Sequence, residues 1–139
     1  MSWSNAYVGT PYEEFGRVRE GCDCWGLACV VYGEELHVSL PDYLGYSSVE
    51  EHDELATLFA GGKQSPVWVP VTGNAIAFDL AVFRRGRFDA HVGIVVRHGV
   101  MLHMAEGDCA KHVSYLDGRW KNRLNGVYRH VEIISRAAS

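Results

Sequence analysis

The sequence has little of what a membrane-inserted or exported protein needs. No stretch approaches the roughly 20 consecutive apolar residues of a membrane-spanning helix. The first residues, 1–7, have neither a basic start nor an apolar segment of export-signal length. We therefore expect a protein that is made in the cytoplasm without a signal peptide and does not insert into a membrane.

An excess of positive charge is also missing. The chain has 13 lysines and arginines against 17 aspartates and glutamates, which gives a net charge of −4. Its one basic cluster, Arg84, Arg85 and Arg87 around Gly86, is typical of a solvated hairpin tip. Because a nucleic-acid partner requires a larger basic surface, we expect no nucleic-acid binding.

Cysteine is scarce and unevenly placed. Four cysteines are present, and Cys22, Cys24 and Cys29 lie close together while Cys109 stands apart. A reducing cytoplasm argues against a disulfide framework. Thiol chemistry or simple burial must therefore explain these residues.

The remaining composition is that of a folded protein with one core. The chain has 139 residues, of which 47% are hydrophobic and 22% charged. This length supports one substantial core and is short for two. We expect a single domain, residues 1–139.

Predicted helices come first along the chain, and predicted strands follow. The segment from Cys24 to about Glu35 is apolar nearly all round, which predicts a buried helix. A capping pattern at Ser48 predicts a second, amphipathic helix that stops at the glycine pair 61–62. Short apolar runs rich in valine, isoleucine and phenylalanine then predict strands at 67–71, 77–83, 91–96, 100–104 and 127–134. This order predicts an α+β fold, with N-terminal helices packed on a mostly antiparallel β-sheet.

Cys24 is the cysteine best placed for nucleophilic chemistry. An unperturbed thiol has a pKa near 8.5 and needs a cationic neighbour or a helix N-terminus to react at neutral pH. Cys24 opens the predicted buried helix, whereas Cys29 lies inside it and Cys22 before it. A cysteine in an apolar helix is by itself more often inert, so the assignment depends on its partners.

A hairpin between two predicted strands brings two histidines together. Arg97, His98 and Gly99 form a natural three-residue loop, with Gly99 where a positive φ is needed. Pairing Val96 with Val100 across this loop fixes the register of both strands.

This register sets His103 opposite Gly93, on the same face as His91. The two histidines are then diagonal neighbours whose rings can meet, and Gly93 leaves space beside them for an approaching helix. One imidazole can serve as a base while the other orients it. A lone histidine in a strand is more often structural, but a thiol at a helix start together with two such histidines favours a catalytic site.

Three motifs resemble the NlpC/P60 family of cysteine peptidases. They are Asp23-Cys24-Trp25-Gly26-Leu27, then His91-Val92-Gly93-Ile94-Val95-Val96, then Met101-Leu102-His103. The tryptophan after the cysteine, Leu40-Pro41-x-Tyr43 and Ala81-Val82-Phe83-Arg84 look most like the branch found in phage tails and gene transfer agents. The resemblance covers roughly residues 7 to 105.

The resemblance implies a papain-like α+β fold and a cell-wall hydrolase. The substrate would be the stem peptide of peptidoglycan, cleaved between D-glutamate and a diamino acid. Cys24 would be the nucleophile, His91 the general base and acid, and His103 the residue that orients His91. Tyr12 matches the family's oxyanion-hole tyrosine, with Tyr7 as the next candidate. No cofactor and no metal are implied.

The phage-tail branch also implies a location and partners. A tail-borne enzyme is assembled in the cytoplasm and carried by the particle to the periplasm or cell wall. Other tail or baseplate proteins would then be its partners.

Two other readings remain open. A structural tail component could keep the fold without the reaction. Trp68, Trp120 and the C-terminal strand could supply an apolar surface for docking to other tail proteins, with or without catalysis, although such aromatics are more often core. A zinc-binding module could use donors drawn from Cys22, Cys24, Cys29, His91, His103 and Cys109. The spacing argues against zinc, because structural zinc sites favour repeated C-x₂₋₄-C pairs.

Overall fold

The structure, a computed structural model, describes residues 3–40, 67–85, 88–104 and 107–138. A short 3₁₀ helix, Trp3–Tyr7, precedes the two-stranded hairpin of β1 and β2. The main helix α1 continues into one π-helical turn, Tyr32–Leu36. The helices are α1 Cys24–Val31, α2 Gly118–Arg123 and α3 Val131–Ala138. The strands are β1 Arg17–Val18, β2 Gly21–Cys22, β3 Trp68–Pro70, β4 Leu80–Arg85, β5 Phe88–Arg97, β6 Val100–Met104, β7 Ala110–Ser114 and β8 Leu124–His130.

Strands β3 to β8 form one antiparallel sheet of six strands in the order β3-β8-β4-β5-β6-β7. Helix α1 packs against β5 and β6 near the middle of the sheet. The larger core cluster joins this helix to one sheet face and includes Trp25, Leu27, Val92, Ile94 and Leu102. Side chains that alternate with these along β5 and β6, such as Val95 and Met101, lie on the other face of the sheet.

The opposite sheet face carries a second, smaller core. Its buried members include Phe83, Val95 and Met101, and Trp120 of α2 packs on them. Helix α2 contacts β4. The connection from β7 to β8 therefore supplies the cover of this face.

Several predicted elements are confirmed. The helix predicted from Cys24 to about Glu35 is present as α1 and its π-helical turn, which ends at His37 with a left-handed φ of 56°. Strands β4 and β5 pair as far as Arg85 and Phe88, which agrees with the hairpin tip predicted from the basic cluster. The helix predicted from Ser48 lies outside the described residues.

The strand predicted over 127–134 is wrong in its second half. Pairing with β3 ends at His130, whose Nδ1 accepts a hydrogen bond of 3.1 Å from the backbone N–H of Glu132. This contact satisfies a first-turn amide as a helix cap does, and α3 follows. Apolar residues at 131, 133 and 134 fit a strand run and an amphipathic helix equally well, so the pattern alone misled.

Smaller differences occur elsewhere. The strand predicted over 77–83 begins only at Leu80, because Phe78 has a φ of 75° and forms a turn. The sequence pattern also missed β7 and α2. Among the described residues, no helix is long and apolar enough to cross a membrane.

Candidate active site

Cys24 is the first residue of α1, and the preceding Asp23 caps the helix. The Asp23 carboxylate accepts hydrogen bonds from the backbone N–H of Gly26 at 2.7 Å and of Phe15 at 3.1 Å. It also pairs with Arg17 at 2.8 Å. This engagement gives Asp23 a structural role at the helix start and balances its negative charge beside the thiol.

The first turn of α1 lies against the β1–β2 hairpin with almost no space between them. A Cβ added to Gly26 would lie 1.9 Å from the carbonyl oxygen of Gly16 and 2.9 Å from Cβ of Cys22. Only glycine permits this approach. The contact fixes where the helix starts, and therefore where Cys24 stands.

The hairpin of β5 and β6 brings the two histidines into direct contact. His103 pairs with Gly93 across the strands, as the sequence predicted. Nε2 of His91 and Nδ1 of His103 are 3.1 Å apart and share a hydrogen bond. The rings are therefore on the same side of the sheet.

The turn that sets this register differs in detail from the prediction. Arg97, rather than Val96, pairs with Val100, and Val96 forms a bulge. The loop is thus one residue shorter, and the bulge restores the predicted register at His103. Gly99 has the expected positive φ, 95°.

The space beside Gly93 is filled, contrary to the expectation that a helix could approach there. A Cβ at this position would lie 2.3 Å from Sδ of Met101 and 3.4 Å from Cβ of His103. Met101 is a same-face neighbour on the adjacent strand. Gly93 therefore makes room for its own sheet neighbours.

A second bulge lies next to His91. Phe83 pairs with His91, but the next residue, Arg84, pairs with Asp89, so Ala90 is the extra residue of β5. Bulges bend a strand, increase its twist and redirect the side chains beside them. The position of His91 depends on this irregularity as well as on regular pairing.

His103 lies in a position where it stays uncharged. Its side chain is 3% exposed. Burial lowers the pKa of His103 to about 4, with Lys111 and Arg119 adding to the effect. At neutral pH the ring is therefore neutral, and its Nδ1 can accept a hydrogen bond from His91 in one of its two tautomers.

Trp120 covers the histidine pair, a contact that sequence reasoning missed. Its indole stacks on His91 with ring centres 5.1 Å apart and meets His103 edge-on at 5.0 Å. Phe83 packs edge-on against the same indole at 5.0 Å. Because Trp120 stands 17 residues beyond His103 in the chain, no local pattern could have revealed the contact.

The cysteines have different surroundings. Cys22 is fully buried, and desolvation followed by the charge of Asp23 raises its pKa to about 12. Cys24, Cys29 and Cys109 are half-buried, and all four are free thiols. Cys22 is therefore unsuited to be a nucleophile.

Cys24 and the histidines belong to elements that touch. Cys24 packs at the edge of the larger core, on the helix that contacts β5 and β6. The histidine rings lie under Trp120 on the side of the smaller core. The structure thus joins His91 to His103 directly and brings the helix of Cys24 to their strands.

The two candidate tyrosines differ in their contacts. The fully buried hydroxyl of Tyr7 donates to Glu35 at 2.7 Å and lies 3.3 Å from Glu34, at the end of the helical segment away from Cys24. Tyr12 is half-buried and forms a backbone bridge with Cys22. Its backbone N–H also donates to the backbone carbonyl oxygen of Asp108 at 3.1 Å. Tyr12 is therefore the tyrosine held near the start of α1.

The cysteines and histidines considered as zinc ligands do not form a common site in the described part of the chain. Within the described ranges, no three histidine, cysteine, aspartate or glutamate side chains form a group suited to a metal ion. The alternative of a zinc module has no support from the geometry.

The docking role considered for two tryptophans has little support. Trp68 is 2% exposed and packs edge-on against His130 at 4.9 Å. Trp120 is occupied by the histidine pair. Trp68 therefore presents no open apolar surface, and the half-buried Trp120 already packs on the two histidines.

Comparison with known proteins adds a family and a fold. The sequence model of the NlpC/P60 family matches residues 9–129. The search of curated proteins found no match. Among solved structures, the NlpC/p60 domain of the peptidoglycan hydrolase SagA is 23% identical, with a TM-score of 0.55, and the match covers 80% of this chain and 82% of that chain.

Two longer proteins share the same fold. A protein of the NLP/P60 family from Staphylococcus aureus, described as similar to a lipoprotein, is 25% identical with a TM-score of 0.60. An NlpC/P60 family protein from Bacillus cereus is 19% identical with a TM-score of 0.66. Both matches cover 91% of this chain but only 38% and 37% of the longer chains, respectively. The likenesses confirm the predicted α+β fold of the NlpC/P60 type.

Proposed function

The chain belongs to the NlpC/P60 family, and on this premise we propose that it is a peptidoglycan hydrolase acting as a cysteine endopeptidase. The observation that carries the proposal is the 3.1 Å hydrogen bond between His91 and His103 on the strands that α1 contacts. A base held by a second ring, beside a helix that begins with a cysteine, is the arrangement that thiol-dependent acyl transfer requires.

The first half of the proposed reaction forms a thioester. His91 takes the proton of the Cys24 thiol, and the sulfur attacks the carbonyl carbon of the scissile amide. The backbone N–H of Cys24 and the hydroxyl of Tyr12 stabilise the resulting oxyanion. The carbon–nitrogen bond then breaks as His91 returns its proton to the leaving amine.

The second half of the reaction hydrolyses the thioester and releases the carboxylic acid product. His91 takes a proton from water, which attacks the thioester carbonyl and forms a new tetrahedral oxyanion. Its collapse breaks the carbon–sulfur bond, and the expelled Cys24 sulfur takes the proton back from His91. The enzyme is then ready for another substrate.

His103 acts throughout by staying neutral. Its Nδ1 accepts a hydrogen bond from Nε2–H of His91, which leaves Nδ1 of His91 as the nitrogen that handles protons. When His91 is protonated, the same hydrogen bond stabilises the cation. A protonated His103 could not accept this bond, so its low pKa suits the role.

We propose a finer assignment from the sequence resemblance. The substrate is the stem peptide, cleaved between D-glutamate and a diamino acid, by a single domain spanning 1–139. The motif with Trp25 after the cysteine supports a place in a phage-like tail or gene transfer agent, with other tail proteins as partners and the periplasm or cell wall as the site of action. The family match over residues 9–129 supports the single domain.

The decisive experiment compares three proteins on purified peptidoglycan. Wild type and Cys29→Ala should release the same peptide fragments, identified by mass, and Cys24→Ala should release none. Cys29 is a matched control because it is also a half-buried cysteine of α1. Equal products from wild type and Cys24→Ala would refute the nucleophile. No products from a folded wild type would favour the structural tail component.

A further inference from the structure

The connection between β7 and β8 places one aromatic side chain over both histidines. Gly118, with a φ of 62°, begins the short helix α2, which packs against β4. Trp120 of this helix reaches the face of the sheet where His91 and His103 meet.

The ring geometry shows what the indole covers. It lies nearly parallel to the His91 ring, at 26°, and nearly perpendicular to the His103 ring, at 74°. Both ring centres are about 5 Å from it. A group in contact with both partners of a hydrogen bond keeps water from competing for that bond.

The same contact limits the movement of His91. A hydrogen bond at Nε2 does not by itself fix the tilt of the His91 ring, because terminal torsions of histidine are broad. Stacking against an indole on one side removes this freedom. Phe83 packs edge-on against the same indole, at 5.0 Å and 69°, and its ring centre lies 6.0 Å from that of His91.

We propose that Trp120 is a positioning residue of the histidine pair. It excludes water from the His91–His103 hydrogen bond and holds the His91 ring at the angle at which Nδ1 can exchange a proton with a thiol. The part that concerns the thiol rests on the proposed function, and the shielding of the hydrogen bond does not.

The effect of charged neighbours on the pKa of His103 must be distinguished from the effect of the Trp120 ring. Lys111 from β7 and Arg119 from α2 both disfavour a proton on His103. The Arg119 guanidinium lies over the Trp120 ring at 5.1 Å, so loss of the indole could also move this charge. A variant that removes the charge and keeps the ring is therefore needed.

The test follows the titration of His103 by NMR in the full chain. Trp120→Ala should raise its midpoint by about 1 pH unit as water reaches the ring, and Trp120→Phe by less. In the same proteins, kcat on peptidoglycan fragments should fall about tenfold or more for Trp120→Ala, with KM changed by less than about twofold.

Two controls make the result specific. Trp68→Phe removes an indole that packs on a different buried histidine, His130, and should leave the midpoint of His103 unchanged. Arg119→Gln should raise the midpoint less than Trp120→Ala does and leave kcat near wild type. If Arg119→Gln raised the His103 midpoint as much as Trp120→Ala does, the effect would be due to charge and the shielding role would be overturned.

The other possible results for the Trp120 variants also support or overturn the proposal. A folded Trp120→Ala with a wild-type midpoint would overturn the proposal. If Trp120→Ala does not fold, Trp120→Phe decides alone, since a raised midpoint supports the role and an unchanged one overturns it. If wild type does not cleave peptidoglycan, the proposed function fails while the NMR titration still tests the shielding.

Discussion

Two cysteines two positions apart show how strongly reactivity depends on position. Cys22 ends β2 with no exposed surface, and its pKa is raised to about 12 because burial penalises the thiolate. Cys24 is half-buried and opens α1, where the partial positive charge of the helix N-terminus favours a thiolate. The residue type is the same, and the backbone decides the chemistry.

Alkylation should separate these thiols. With iodoacetamide near pH 7, we expect Cys24 to be labelled at least about ten times faster than Cys22, Cys29 or Cys109. Peptide mass spectrometry over a time course measures each rate. Cys24→Ala should lose the fast phase, and Cys29→Ala should keep it. Uniform slow labelling of all four would show that no thiol is activated.

At the scale of elements, the contact between α1 and the β1–β2 hairpin positions the proposed nucleophile. The backbone of Gly16 and the side chain of Cys22 leave no space for a side chain at Gly26. The helix N-terminus is also tied to the hairpin through Asp23 and Arg17. The hairpin thus positions the first turn of the helix.

Gly26→Ala should disrupt the contact between the first turn of α1 and the β1–β2 hairpin. Because the added Cβ would meet a backbone oxygen that cannot rotate away, we expect the free energy of unfolding to fall by about 3 kcal/mol or more. Gly33→Ala is the matched control, since Gly33 also lies in the helical segment but has no atom within 4 Å of an added Cβ. We expect Gly33→Ala to change stability by about 1 kcal/mol or less, in the stabilising direction. Urea unfolding measures both, and equal values would refute the close contact.

At the scale of the whole molecule, two buried histidines make the fold sensitive to acid. Burial is the main cause that lowers the pKa of both His103 and His130. Below a pH of about 6.5 the unfolded chain binds protons that the folded chain excludes. The stability that depends on neutral His103 is therefore present above about pH 6.5 and is lost as the pH falls towards about 4.

His103→Gln should reduce this acid sensitivity. Between pH 7 and pH 5, we expect wild type to lose about 2 kcal/mol more unfolding free energy than the variant. Urea unfolding at the two pH values gives the difference, and His130 and the carboxylates contribute to both proteins alike. Parallel losses in the two proteins would show that His103 is not held neutral by the fold.

Prediction from sequence succeeded where the deciding contacts are local. The predicted pairing of His103 with Gly93 is confirmed within a short hairpin, where a bulge at Val96 offsets a loop one residue shorter than predicted. The start of α1 at Cys24 follows from Asp23 and the apolar run. Prediction failed at residues 131–134, where the same apolar pattern suits a strand and a helix and only the end of pairing with β3 decides.

The sequence by itself determined the α+β fold class, the helix that opens with Cys24 and the face shared by His91 and His103, because each depends on residues near one another in the chain. Only the tertiary structure decided that Trp120 covers the pair and that the Tyr7 hydroxyl donates a hydrogen bond to Glu35. These contacts join elements whose packing is selected by the shape of the whole core, and side-chain periodicity carries no information about that shape.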